Sequence, residues 1–156
     1  MKMIVNVDLN LDVEKVTKEV LDANRKAMRD TVVAIHRKAT SLSPKITGYN
    51  MRSLASEVSG MGVVASGGEG GAERVVDESK IEGAVYSSSG YGGYIEVGTK
   101  PHIITVKNAK VLSDGTSIFG KTVHHPGTNP HPYLKPALDM NFTQGKFAER
   151  VKRHLK

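Results

Sequence analysis

The clearest hydrophobic pattern in the chain lies near its start. Apolar residues recur in steps of three and four from position 13 to 27, and the pattern restarts one residue later from position 28 to 42. A stripe that drifts in this way is typical of a long straight α-helix, because 3.6 residues per turn do not match a strict heptad. Asp12 is the expected N-cap, and Ser43-Pro44 is expected to end the helix. A helix of about 30 residues is about 45 Å long, so part of it is expected to pack outside its own domain.

Shorter patterns follow this helix. Residues 49–58 carry apolar side chains at helical spacing and predict a short second helix. Half of the residues in 60–71 are glycine, which predicts a flexible loop or hairpin tip. Strands are predicted over 74–77 and 81–87, and residues 94–97 give the strongest strand prediction in the chain.

Residues 103–123 predict a projecting hairpin. Its outgoing side contains strand candidates at 103–106 and 110–112, and Ser113-Asp114-Gly115-Thr116 is a strong hairpin-turn sequence. Residues 118–123 are then expected to form the return strand.

Three prolines at positions 130, 132 and 136 mark a rigid elbow. Proline fixes φ and holds the preceding residue in an extended conformation, so the chain up to Tyr133 cannot be helical. A helix is expected to begin near Tyr133 or Leu134, since proline is tolerated in a helix's first turn. It is expected to continue to about residue 154, with a kink near 143–145. The elbow is therefore a device that directs a helix.

Composition narrows the class of protein. The chain has 156 residues, enough for one domain over 1–156, and its low hydrophobic content of 38% predicts a small core supported by neighbouring subunits. The absence of cysteine excludes disulfides, a thiolate nucleophile and a sulfur-ligated metal. No apolar run is long enough to span a membrane, and residues 1–6 resemble a short strand or arm instead of a signal peptide. A net charge of +6 suits contact with nucleic acid or an acidic protein surface.

The sequence offers little support for catalysis or for a metal or cofactor site. The adjacent residues His124 and His125, with His131 and the distant His102, form the only metal-like cluster. Adjacent histidines on an extended segment point to opposite faces, so no metal site is expected. The glycine runs match no nucleotide-binding fingerprint, and the serines at 87–89 lack a nucleophile elbow. We therefore expect a protein without enzymatic activity, catalytic residues or cofactors.

Three motifs follow one another along the chain. The turn motif (residues 43–54) contains Ser43-Pro44, Thr47-Gly48 and Arg52-Ser53-Leu54. The tyrosine motif (residues 91–99) reads Tyr-Gly-Gly-Tyr-Ile-Glu-Val-Gly-Thr, and the proline motif (residues 130–138) reads Pro-His-Pro-Tyr-Leu-Lys-Pro-Ala-Leu. Taken in this order, the three motifs resemble the neck or tail-completion (head–tail joining) family of long-tailed bacteriophages. The chain departs from the family pattern at Ile46, where an acidic residue is usual, and at Asn50, where leucine is usual.

The resemblance implies an α+β fold, with a mainly antiparallel sheet packed by a long N-terminal helix and a C-terminal helix. It implies a virion structural protein that is made in the bacterial host cytoplasm and forms a homo-oligomeric ring at the head–tail junction. The expected partners are copies of itself and other neck, connector and tail-tube or tail-terminator proteins, with DNA in the channel as a further candidate and no membrane. Tyr94, Ile95, Glu96 and Thr99 are expected to fix a strand edge, and Arg52 and Lys135 to make intersubunit contacts. The structural and interface residues expected from the motifs are Thr47, Gly48, Arg52, Tyr94, Glu96, Gly98, Thr99, Pro132, Tyr133, Leu134, Lys135 and Pro136.

A second interpretation remains open at this point. The C-terminal end of the chain and one face of the first helix are basic. The alternative function is therefore a basic nucleic-acid-binding module that contacts DNA in the neck.

Overall fold

The long N-terminal helix is confirmed. A computed structural model of the chain describes residues 13–45, 47–71 and 75–155. Helix α1 runs over Val13–Leu42, and its end is closed by the Ser43 N–H, which donates to the Ala39 carbonyl at 2.8 Å before Pro44. Residues 14–22 are exposed and Ala23 is the first buried residue, so the first turns of α1 lie outside the core. The predicted cap at Asp12 and the arm at 1–6 lie outside the described residues.

The second helix predicted over 49–58 is wrong beyond its first turn. Helix α2 covers only Tyr49–Arg52, and strand β1 follows over Leu54–Val58. All five residues of β1 are buried, because the strand is central in its sheet and contacts α1. A strand buried on both faces shows no polar alternation, so its apolar residues can imitate helical spacing.

A three-stranded antiparallel sheet takes up part of the predicted flexible loop. Strands β2 (Gly62–Ser66) and β3 (Gly83–Ser87) pair on either side of β1. The flexible loop predicted for 60–71 is thus wrong over β2. Gly60 and Gly62 have φ of 74° and 68°, so these glycines serve the left-handed positions of a tight turn.

The other strand predictions around this sheet are partly corrected. The strand expected over 81–87 forms only as β3. Residues 75–77 are not in a strand, and Arg74 lies outside the described residues. The segment that follows β2 is hydrogen-bonded to the sheet, since the Gly67 N–H donates to the Leu54 carbonyl at 2.9 Å.

The strand predicted over 94–97 is also wrong, because the segment is a short helix, α3, over Gly92–Val97. The residues that face inward are Gly92, Ile95 and Glu96, whose spacing of three and four positions is that of a helix. Tyr94 and Val97 point outward and are 63% and 70% exposed.

The predicted hairpin forms as two nested antiparallel pairs. Strand β4 (His102–Thr105) pairs with β7 (Thr122–His125), and β5 (Leu112–Ser113) pairs with β6 (Ile118–Gly120) nearer the tip. The single return strand predicted over 118–123 is divided after Gly120, where a φ of 89° interrupts extended backbone. The strand predicted over 110–112 is wrong at its first two residues, because β5 covers only Leu112–Ser113.

The C-terminal helix begins at Leu134 as predicted. It is divided into α4 (Leu134–Asn141) and α5 (Gln144–His154), so the expected kink is a complete break. Thr143 caps α5 by accepting the Lys146 N–H at 3.2 Å. Helices α4 and α5 both pack on α1, which confirms the α+β fold. The hydrophobic cluster between α1, β1 and α4 consists of Ile35, Ala39, Leu54, Tyr133 and Ala137.

Candidate interface site

The elbow of the proline motif ends on a residue at the centre of the core. Tyr133 is fully buried, and its hydroxyl donates to the Gly92 carbonyl at 3.3 Å. Burial raises the pKa of the Tyr133 phenol, which therefore acts as a neutral donor. The side chain at the start of α4 thus fixes the helix against α1, β1 and α3 at once.

Glu96 holds the first turn of α4. Its carboxylate accepts three backbone N–H groups, those of Tyr133, Leu134 and Lys135, each at 2.8 Å. The first N–H groups of a helix have no intrahelical partner, and a negative charge there also complements the helix dipole. Glu96 was expected at a strand edge, and the structure instead makes it a helix cap supplied from 37 residues away in sequence.

Further backbone bonds join the tyrosine motif to the proline motif. His131 N–H donates to the Ile95 carbonyl at 2.8 Å, and Thr99 and Thr128 exchange backbone bonds of 3.0 and 3.1 Å. Gly98, at φ 73° and ψ −178°, lies so close to this bridge that an added Cβ would be 2.5 Å from the Thr128 carbonyl oxygen. The two motifs therefore form one structural unit.

The turn motif joins this unit through Asn50. The Asn50 side chain is buried, and its amide donates to the Ser43 hydroxyl at 3.0 Å. The hydroxyls of Ser87 and Ser89 donate to the Asn50 carbonyl oxygen at 2.7 and 2.9 Å. Asn50 thus organises a polar network that is buried at Ser43 and half-buried at Ser87 and Ser89. A signal in the sequence was the serine run at 87–89, whose hydroxyls need such a partner.

Arg52 and Lys135 have partners within the chain. The Arg52 guanidinium forms a 2.7 Å ion pair with Glu69 and donates to the Thr47 carbonyl at 3.3 Å. The Lys135 ammonium lies 2.6 Å from the Asp139 carboxylate one turn later. Contacts of either residue with a neighbouring subunit remain a prediction, and any such contact would have to compete with these pairs.

An open groove lies beside the joined motifs, with a volume of about 1350 Å³ and a mainly apolar lining. We call it the interface groove. Its walls include Thr47 from the turn motif, Tyr94 and Val97 from α3, and Ile104 from β4. Gly98, Thr99, Thr128 and His131 complete the side nearest the elbow. Residues from all three sequence motifs and from the base of the hairpin therefore line one concave surface. Arg52, Glu96 and the prolines at 132 and 136 are not part of its lining.

The histidines at the base of the hairpin are arranged for packing. The rings of His102 and His125 stack at 4.9 Å between centroids, and His102 Nδ1 lies 2.8 Å from the Lys100 carbonyl oxygen. Within the described ranges, no three histidine or acidic side chains are placed to hold a metal ion. Nor does that part of the chain contain a helix of the length and apolarity needed to cross a membrane.

In comparisons with known proteins, no family model, curated protein or solved structure matches the chain.

Proposed function

We propose that the chain is a non-enzymatic virion protein that forms a ring at the head–tail junction of a phage and joins the tail to the capsid connector. The observation that carries the proposal is that one chain exposes two separate apolar surfaces. One is the interface groove. The other is the hairpin, where Ile103, Ile118 and Phe119 are 60%, 75% and 50% exposed.

Large exposed apolar surfaces usually mark sites of protein association. When two different surfaces of identical subunits pair head to tail, the result is a closed ring if the rotation between subunits closes. A groove on one subunit and a hairpin on the next supply such a heterologous pair. The exposed first turns of α1, which carry Val16 and Val20, offer a third surface for neighbouring neck, connector or tail proteins.

In this proposal the elbow keeps the two apolar surfaces at a fixed angle to each other. A ring closes only if every subunit holds the same angle, so the elements that present the two surfaces must be rigid. The cap from Glu96 and the bridge between Thr99 and Thr128 join α3, α4 and the base of the hairpin. The resemblance of the three motifs supports a location in the virion and assembly with other neck components.

Light scattering of the purified protein tests the pairing of the two surfaces. The mass of the wild-type protein in solution is expected to be a fixed multiple of 16.8 kDa. If the multimer forms only on a preformed connector, the protein is expected to bind connector-bearing heads of the phage that encodes the chain. Val97→Asp in the groove wall and Ile118→Asp in the hairpin should each abolish the multimer, because each places a charge in a buried apolar contact. The matched control is Leu155→Asp, which adds the same charge at a side chain 49% exposed outside both surfaces.

Two results would contradict the proposal. One is a wild-type protein that stays a monomer and does not join heads or connectors. The other is a multimer that survives both interface substitutions, because association would then use a different surface.

A further inference from the structure

A second concavity lies between α1, α5 and the β1–β2 hairpin, which contributes Met61 and Val64, and its chemistry differs from that of the interface groove. It has a volume of about 750 Å³ and shares no lining residue with the groove. Four arginines line it, and we call it the arginine cleft. Two come from α1 and two from α5: Arg29, Arg37, Arg150 and Arg153.

The positive charge in the cleft is poorly compensated. Among the described residues that line it, Asp30 is the only carboxylate, and it already accepts from His154 at 2.8 Å and lies 3.5 Å from Arg29. Arg37 and Arg153 form no ion pair within the described part of the chain. Like charges placed together repel one another, so an anionic ligand is the natural means of stabilising this arrangement.

One of the arginines is held in place by neutral groups. Arg150 is half-buried, and its guanidinium donates to the Thr31 hydroxyl at 3.2 Å and to the Asn141 carbonyl at 3.0 Å. These bonds fix its position without neutralising its charge. A pre-positioned guanidinium loses little entropy when it binds an oxyanion.

The basic surface extends along both helices beyond the cleft. Lys26 lies on the same side of α1 as Arg29 and Arg37, and these three positions span about 17 Å at 1.5 Å per residue. Lys146 continues the row of Arg150 and Arg153 on α5 at spacings of four and three positions, and its ammonium donates to the Met140 carbonyl, which does not neutralise its charge. A row of this length fits a linear array of charges better than it fits a single small anion.

From these observations we propose that the arginine cleft binds the phosphate backbone of duplex DNA. Guanidinium groups suit phosphate because they can donate two parallel hydrogen bonds, and phosphate contacts position a protein on DNA without reading its sequence. This site goes beyond the ring proposal and does not depend on it, because an isolated chain carries the whole cleft.

Binding of a fluorescent 20-base-pair duplex to the full-length protein, measured by anisotropy from 50 to 200 mM salt, tests the site. The double variant Arg37→Ala/Arg153→Ala is compared with Lys107→Ala/Lys110→Ala, which removes the same charge from the hairpin. Wild-type binding should weaken steeply with salt, and the cleft variant should reduce the salt slope by about 2, one for each lost phosphate contact. The hairpin variant should keep nearly the wild-type slope. Lysine at both cleft positions should retain the slope and lose affinity, because the charge stays and the paired hydrogen bonds are lost.

Several outcomes would overturn the site. The first is an absence of DNA binding at 50 mM salt. The second is equal weakening of DNA binding by the cleft and hairpin variants, which would indicate a response to net charge alone. The third is cleft-dependent binding of a poly-glutamate peptide but not of DNA, which would assign the cleft to an acidic protein partner. Circular dichroism checks that each variant is folded. If the double alanine variant is not, Arg153→Gln at an exposed position replaces it, with an expected slope change of about 1.

Discussion

Replacement of Glu96 by alanine should destabilise the fold, because this half-buried carboxylate caps the first turn of α4. The substitution removes the acceptor of three backbone N–H groups at the start of α4, each bonded at 2.8 Å. A hydrogen bond contributes about 1 kcal/mol net, so the loss is expected to be about 3 kcal/mol. Water can replace some of the lost hydrogen bonds because α4 is partly exposed, which reduces the loss of stability. The lost interaction between the carboxylate and the helix dipole increases it. Glu96→Gln, which keeps one acceptor oxygen, should lose about half as much.

Urea denaturation followed by circular dichroism measures these differences. The matched control is Asp139→Ala, which removes one carboxylate from α4 itself and breaks only an exposed ion pair with Lys135. An exposed pair of this kind is worth about 0–1 kcal/mol. If Glu96→Ala cost no more than the control, Glu96 would not be holding the elbow, and the reasoning from its three contacts would fail.

Three further predictions concern single residues. Gly98→Ala should cost about 2 kcal/mol or more in thermal or urea denaturation, because its φ of 73° suits only glycine and the new Cβ would collide with Thr128; an unchanged midpoint would refute this. Asn50→Leu should also cost about 2 kcal/mol, although leucine is usual in the resembling family, because it removes the donor to the buried Ser43 hydroxyl and the acceptor of the half-buried Ser87 hydroxyl; a stabilised variant would contradict the network. Burial lowers the pKa of His36, which is hydrogen-bonded to Ser56 at 2.8 Å, below its ordinary 6.5. The unfolded chain therefore binds the proton more readily, so stability should be full above about pH 6.5 and fall below it, and His36→Gln should flatten that part of the pH profile.

The elements predicted correctly from the sequence are those governed by local rules over many residues or by proline. The apolar stripe of helix α1 extends over 30 residues. Over that length a helical period of 3.6 residues is clearly distinguished from the strand period of 2. The elbow is fixed by the covalent geometry of proline, so the start of α4 at Leu134 could be placed to within a residue.

The errors fall where tertiary contacts override local preference. Residues 94–97 favour a strand by composition, but four residues cannot distinguish a period of 2 from one of 3.6. In helix α3, Gly92 packs closely against Ser87, where a Cβ would lie 2.5 Å from the serine Cβ, and this contact is not visible in the local sequence. No pattern near Glu96 reveals that its partners are the N–H groups at 133–135.

The site was predictable only in part. The sequence motifs pointed to Thr47, Tyr94 and Thr99, and the structure places all three along the interface groove. The arginine cleft was not predictable as a site, because Arg37 and Arg153 are 116 positions apart in sequence. They line one cleft only after α5 has packed on α1.

The central claim is that identical copies of this chain close into a ring, and images of the assembled particle test it most directly. Electron microscopy of the purified protein, alone and mixed with connector-bearing heads, should show closed rings of constant subunit number with an axial channel. Ring formation should be lost with Val97→Asp and kept with Leu155→Asp. Single 16.8 kDa monomers under both conditions, with no density added to the connector, would contradict the account.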